Sequence, residues 1–93
     1  MMKLKPNEIE LRGSWKLEGT SMNADAICVR IESLITNYLV KISEDDSGWD
    51  KLFQDPEDKR YWELSYPEGE MHGGGAPLLI NLSLQKAKEK YQI

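Results

Sequence analysis

Carboxylates are the side chains of this chain with the clearest potential for chemistry, and they gather. Between residues 44 and 70 stand Glu44, Asp45, Asp46, Asp50, Asp55, Glu57, Asp58, Glu63, Glu68 and Glu70, against only Lys51, Lys59 and Arg60. Two carboxylates flanking a bond can share acid and base roles in glycoside hydrolysis. Most acids near turns are instead solvated, and that is the expectation here. Asp45-Asp46-Ser47-Gly48 has the outline of a calcium loop. With Gly48 set as the central glycine, Ser43 and Gln54 fall where the first and closing acids are needed, which excludes an EF-hand. His72-Gly73-Gly74-Gly75 matches the oxyanion loop of some esterases, but there is no G-x-S-x-G elbow and no second histidine. Cys28 is alone in an apolar stripe and reads as a buried structural thiol. No closed zinc set and no phosphate-binding glycine motif is present. The chemistry left to the acids is attraction: an acidic surface receives a basic partner and repels nucleic acid.

The elements that hold these residues follow from periodicity. The 93 residues suit one domain, 1–93, with 40% apolar and 30% charged residues, a globular balance. Ile9, Leu11, Gly13, Trp15 and Leu17 alternate with polar residues over 8–18, which predicts one half-buried strand, closely approached or bent at Gly13. Ala24, Ile27, Cys28, Ile31, Leu34, Ile35, Tyr38, Leu39 and Ile42 form an apolar stripe at helical spacing, which predicts a helix over 23–42 capped by Ser21 or Asn23, with Asp25 in its first turn. Residues 43–48 are a polar turn, and 49–53 fit a strand or a helical turn. Asp55-Pro56-Glu57-Asp58 is a turn signal. Residues 60–66 predict a strand with Tyr61, Glu63 and Ser65 on one face and Trp62, Leu64 and Tyr66 on the other. Residues 69–77 form a loop and 78–82 a strand. Ser83 caps a last helix over 84–91. The fold class is α+β: a small, mostly antiparallel sheet packed on one long helix, with a short C-terminal helix. With a lone cysteine, no hydrophobic leader and no apolar run of membrane length, the expected setting is the cytoplasm.

A resemblance runs over almost the whole chain. It is carried by Glu10-Leu11-Arg12-Gly13-Ser14-Trp15, Arg30-Ile31-Glu32, Gly48-Trp49, Asp55-Pro56-Glu57-Asp58-Lys59-Arg60, Trp62-Glu63-Leu64, Tyr66-Pro67, Glu70-Met71-His72-Gly73-Gly74-Gly75 and Lys90-Tyr91. In that order these resemble the immunity protein 27 family of bacterial polymorphic toxin systems. Two departures stand out: the family pattern has glycine at the position of Lys59 and proline at that of Ala76. The resemblance implies a non-enzymatic antitoxin that binds a cognate toxin domain, a nuclease being one candidate class. With the metal and nucleotide motifs missing, no cofactor and no metal is expected.

Charge and resemblance together predict a partner-binding surface over 44–75. Asp45, Asp46, Asp50, Asp55, Glu57 and Asp58 would supply the field, with Glu68, Glu70 and His72 extending it towards the structural loop Gly73, Gly74 and Gly75. Trp49 or Tyr61 would be the apolar anchor, because aromatic anchors dominate interface energetics, while Trp15 and Trp62 fit the core. The alternative is an acidic adaptor or regulatory domain for some other basic protein. Neither nucleic acid nor a membrane is an expected partner, and the oligomeric state is left open by the sequence.

Overall fold

A computed structural model describes residues 3–18, 21–24, 26–67 and 76–93, with the side chains of 15–18 and 21–24 left aside. The elements run β1 (Glu10–Arg12), β2 (Trp15–Glu18), β3 (Ser21–Ala24), α1 (Ala26–Asn37), β4 (Val40–Glu44), β5 (Lys51–Gln54), β6 (Tyr61–Ser65), β7 (Leu78–Leu82) and α2 (Leu84–Tyr91). Five strands form an antiparallel sheet in the order β1-β7-β6-β5-β4, and β2 and β3 form a separate antiparallel pair.

Side-chain parity sorts this sheet into two faces. Register aligns Leu11 with Leu79, Leu79 with Leu64, and Trp62 with Phe53. These five bury together with Leu4 and with Ile31, Leu34 and Leu39 from α1 and the residues after it. The other parity meets α2, where Leu52, Ala87 and Tyr91 close a second core beside Tyr61 and Leu82. The two helices therefore cover opposite faces. The predicted alternation of β6 is realised, with Trp62 fully buried on the α1 side. Ser83 caps α2 as the sequence implies, its hydroxyl accepting from the Lys86 amide at 3.2 Å. That bond satisfies one of the free amides of the first turn.

The predicted helix over 23–42 is shorter at both ends. Ser21 and Asn23 belong to β3 rather than to a cap, and Asp25 lies outside the described residues. At the other end the Leu34 carbonyl accepts from both Tyr38 and Leu39 amides, at 3.0 and 2.7 Å, and the chain turns into β4. Val40, Lys41, Ile42 and Ser43 also alternate, and β-branched residues suit a pleated edge. Ile42 therefore satisfied a helical spacing it does not use. The single strand expected over 8–18 is broken in the same way. It ends at Arg12, and the chain resumes as β2 in another sheet. Between them Gly13 is pressed against α1: a Cβ there would stand 2.5 Å from Cys28 Sγ and 3.1 Å from the Pro77 carbonyl oxygen. The close approach expected at Gly13 thus falls at the break. Cys28 is buried, as its stripe implies, and its thiol donates to the Ser14 carbonyl at 3.4 Å.

Two arginines tie the N-terminal segment to the domain. Arg30 holds the Glu8 carboxylate with two bonds of 2.6 Å and donates to the Lys3 carbonyl at 2.9 Å. The Arg30 guanidinium holds the Glu8 carboxyl down at about 2, against the pull of burial. Arg60 donates to the Glu8 and Lys5 carbonyls at 2.7 and 3.0 Å while lying 4.9 Å from the Trp62 ring centroid.

Candidate functional site

The described acids of the run gather mainly at two separate ends of β5. β5 is extended and holds them apart. Asp45, Asp46 and Asp50 stand in the β4–β5 connection, and Asp55, Glu57 and Asp58 in the β5–β6 turn at the opposite end of that strand. Five extended steps between Asp50 and Asp55 span roughly 17 Å.

At the β5–β6 end one acid is buried, and the other two, Glu57 and Asp58, are exposed and ion-paired. Asp55 is only 1% exposed. Its Oδ1 accepts from the Tyr38 hydroxyl at 2.6 Å and from the amides of Glu57 and Asp58 at 2.7 and 3.3 Å. Burial and the adjoining Asp55 carboxylate push the Tyr38 phenol well above its ordinary pKa, so it stays a donor. Asp55 therefore shapes the turn, which corrects its expected place among surface contacts. Glu57 pairs with Lys3, and Asp58 with Arg60 at 2.7 Å. The turn ends on Lys59 at φ +67, whose amide donates to the Asp55 carbonyl at 3.0 Å. That left-handed backbone favours glycine, and here a lysine holds it.

The β4–β5 end is different. Asp45 folds the connection around itself: its Oδ1 accepts from Ser47 Oγ at 2.7 Å and from the amides of Gly48 and Asp50 at 3.0 and 3.3 Å. Ser47 in turn accepts from the Trp49 amide at 3.1 Å. The Ser47 hydroxyl, followed by the loop amides, lowers the Asp45 pKa. Gly48 takes φ +78, the left-handed geometry that lets the loop close. Asp50 is fastened from below by α2, with Lys90 Nζ 2.7 Å from its Oδ2 and 2.6 Å from Glu63 Oε2. Glu63 is buried and also accepts from the Tyr91 hydroxyl at 2.7 Å. Burial disfavours the Lys90 ammonium, but the two carboxylates outweigh it and raise its pKa.

On this fastened loop Trp49 is 61% exposed, touching Tyr66 edge-on with ring centroids 6.4 Å apart. Tyr61 is partly covered under α2 and packs on the second core. Of the two expected anchors, only Trp49 presents most of its ring outward. Glu44 and Asp46 beside it are exposed. Glu68, Glu70, His72, Gly73, Gly74 and Gly75 lie outside the described residues. The expectation that the acids are solvated fails for Asp55 and Glu63, and their roles were invisible because their partners Tyr38, Lys90 and Tyr91 lie 17 to 28 positions away. No three of His, Cys, Asp and Glu gather as a metal site among the described residues. No helix among them is long and apolar enough to cross a membrane.

A family model described as Immunity protein 27 matches residues 17–83. No curated protein and no solved structure gives a significant match. The matched span includes α1, β4, β5, β6, both acidic turns and Trp49.

Proposed function

The chain belongs to the immunity protein 27 family, and from that premise we propose that it neutralises a toxin domain of basic surface by docking it on the β4–β5 loop. Immunity proteins of this family are non-catalytic antitoxins of polymorphic toxin systems and generally bind a cognate toxin domain. The observation that carries the finer reading is Trp49, 61% exposed at the head of an acidic loop held in shape by Asp45 and Lys90. A fixed aromatic loses little freedom on binding, and it supplies the dry centre that rim charges do not. Glu44 and Asp46 supply steering, since charges on a rim act mainly on the rate of encounter. A nuclease fits this surface because its own phosphate-binding face is basic. The setting we propose is the cytoplasm of the producing cell, where such a toxin would act.

The test is co-expression with a cognate toxin domain, then co-purification and stopped-flow association. Glu44→Lys with Asp46→Lys should slow association and flatten its dependence on salt while leaving the fold intact. Asp45 is kept, because its side chain builds the loop. An association rate unmoved by that double reversal would refute electrostatic docking here.

A further inference from the structure

The helix α2 exposes Lys86, Lys88 and Lys90, and among the described residues only Lys90 of these forms an ion pair. Its Nζ stands 2.6 Å from Glu63 Oε2 and 2.7 Å from Asp50 Oδ2. Glu63 is a fixed point. It lies on the central strand β6 opposite Leu52 and Ile80, is buried, and accepts from the Tyr91 hydroxyl at 2.7 Å. A buried carboxylate needs such partners. Lys90 and Tyr91 already meet that need, so the bond from Lys90 to Asp50 is not required to keep Glu63 paired. What that bond does fix is the loop. The Asp50 carbonyl accepts from the Asp45 amide at 2.9 Å, and the Asp50 amide donates to Asp45 Oδ1 at 3.3 Å, which closes the β4–β5 connection at its base. Trp49 and Asp50 are consecutive and are held from opposite faces of the sheet. Tyr66, packed on the α1-side core, meets the Trp49 ring, and Lys90 of α2 holds the Asp50 carboxylate.

We propose that Lys90 is a positioning residue for toxin binding, which tethers Asp50 to the buried Glu63 and so presets the loop from which Trp49 docks. This rests on the toxin-binding reading and deepens it by naming what fixes the docking surface before encounter. A loop ordered in advance loses less freedom on binding. The effect of Lys90 then runs against its charge. A cation beside an acidic loop opposes a basic partner. Removing it makes the chain, of net charge -4, one unit more negative, and on charge alone that should speed association. Removing a tether does the reverse. The loop has to be ordered again at each docking event, and affinity falls.

The test is Lys90→Met, with Lys88→Met as the charge control, measured by calorimetry and stopped flow against a cognate toxin domain where circular dichroism shows each variant folded. Lys90→Met should weaken binding by about tenfold, the cost of ordering one or two freed side chains. Lys88→Met should bind as well as the parent or associate slightly faster. Lys90→Arg should restore most of the loss, since a guanidinium also bridges two carboxylates. In the free protein, hydrogen exchange at the Asp45 and Gly48 amides should quicken by about fivefold or more in Lys90→Met. Asp50→Ala cuts the same tether and leaves Glu63 with both of its partners, so it should quicken the same amides even where Lys90→Met fails to fold. Adding Lys90→Met to Asp50→Ala should cost little further affinity. A folded Lys90→Met chain that binds as tightly as the parent, or more tightly, overturns the positioning role and leaves toxin binding standing. So do unchanged loop amides in both variants, or equal weakening by Lys88→Met. A parent chain that binds no cognate toxin domain overturns the toxin-binding reading and this role with it.

Discussion

Lys59→Gly should stabilise this protein. Lys59 holds φ +67 at the end of the β5–β6 turn, where a Cβ crowds the following carbonyl. That geometry costs an L-residue roughly 1–2 kcal/mol. Glycine removes the crowding but brings a more flexible unfolded chain, which costs about 0.4–1 kcal/mol. The difference favours glycine by roughly 0.5–1 kcal/mol. Nothing else in the turn is lost. The amide of residue 59 still donates to the Asp55 carbonyl, its carbonyl still accepts from Gln54 Nε2, and the Lys59 ammonium makes no ion pair among the described residues. For a domain of this size that gain raises the melting temperature by about 3–6 °C. Urea unfolding measures it directly, as a higher midpoint with an unchanged slope. Lys59→Ala removes the same charge and keeps the crowding, so it should stay within about 0.5 kcal/mol of the parent. A glycine variant no more stable than the alanine variant would refute the reasoning, because strain at φ +67 would then not be limiting.

Three further outcomes are expected. The Glu8 carboxyl sits near 2 in the folded chain against an ordinary 4.5, so its contribution is fully present above about pH 4.5 and is lost as pH falls towards 2. In acid titrations followed by circular dichroism, the parent should lose about 2 kcal/mol more than Glu8→Gln between pH 5 and 2, and equal losses would count against the Arg30 pair. Gly13→Ala should destabilise by about 1–3 kcal/mol in urea, and Cys28→Ala in that background should recover part of it, since the 2.5 Å contact is with the sulfur. Trp49→Ala leaves the fold within about 1 kcal/mol, because the exposed ring has only an edge contact with Tyr66. Its exposed 61% of roughly 250 Å² sets a ceiling near 4 kcal/mol on binding, so calorimetry with the toxin domain should show about 2–3 kcal/mol lost; an unchanged affinity would remove Trp49 as the anchor.

Local pattern alone determined α2 with its Ser83 cap, the two faces of β6, the close approach at Gly13 and the lone buried Cys28. Each depends on residues within a turn or a strand of one another, or, at Gly13, on the absence of a Cβ that permits close approach. Exposure of Trp49 was not legible, because a tryptophan beside a turn serves core and surface equally well. Tertiary structure alone decided where α1 stops, since Val40-Lys41-Ile42 satisfies helix and strand periods alike and the pairing with β5 breaks the tie. It also split the acids. Neighbours in sequence at Asp50 and Asp55 end on opposite ends of β5, because an extended strand carries its flanking turns apart. Asp55 and Glu63 turned inward only because Tyr38, Tyr91 and Lys90, distant in sequence, arrive to satisfy them. A carboxylate is buried when it is partnered, and partners at that separation are supplied by the fold.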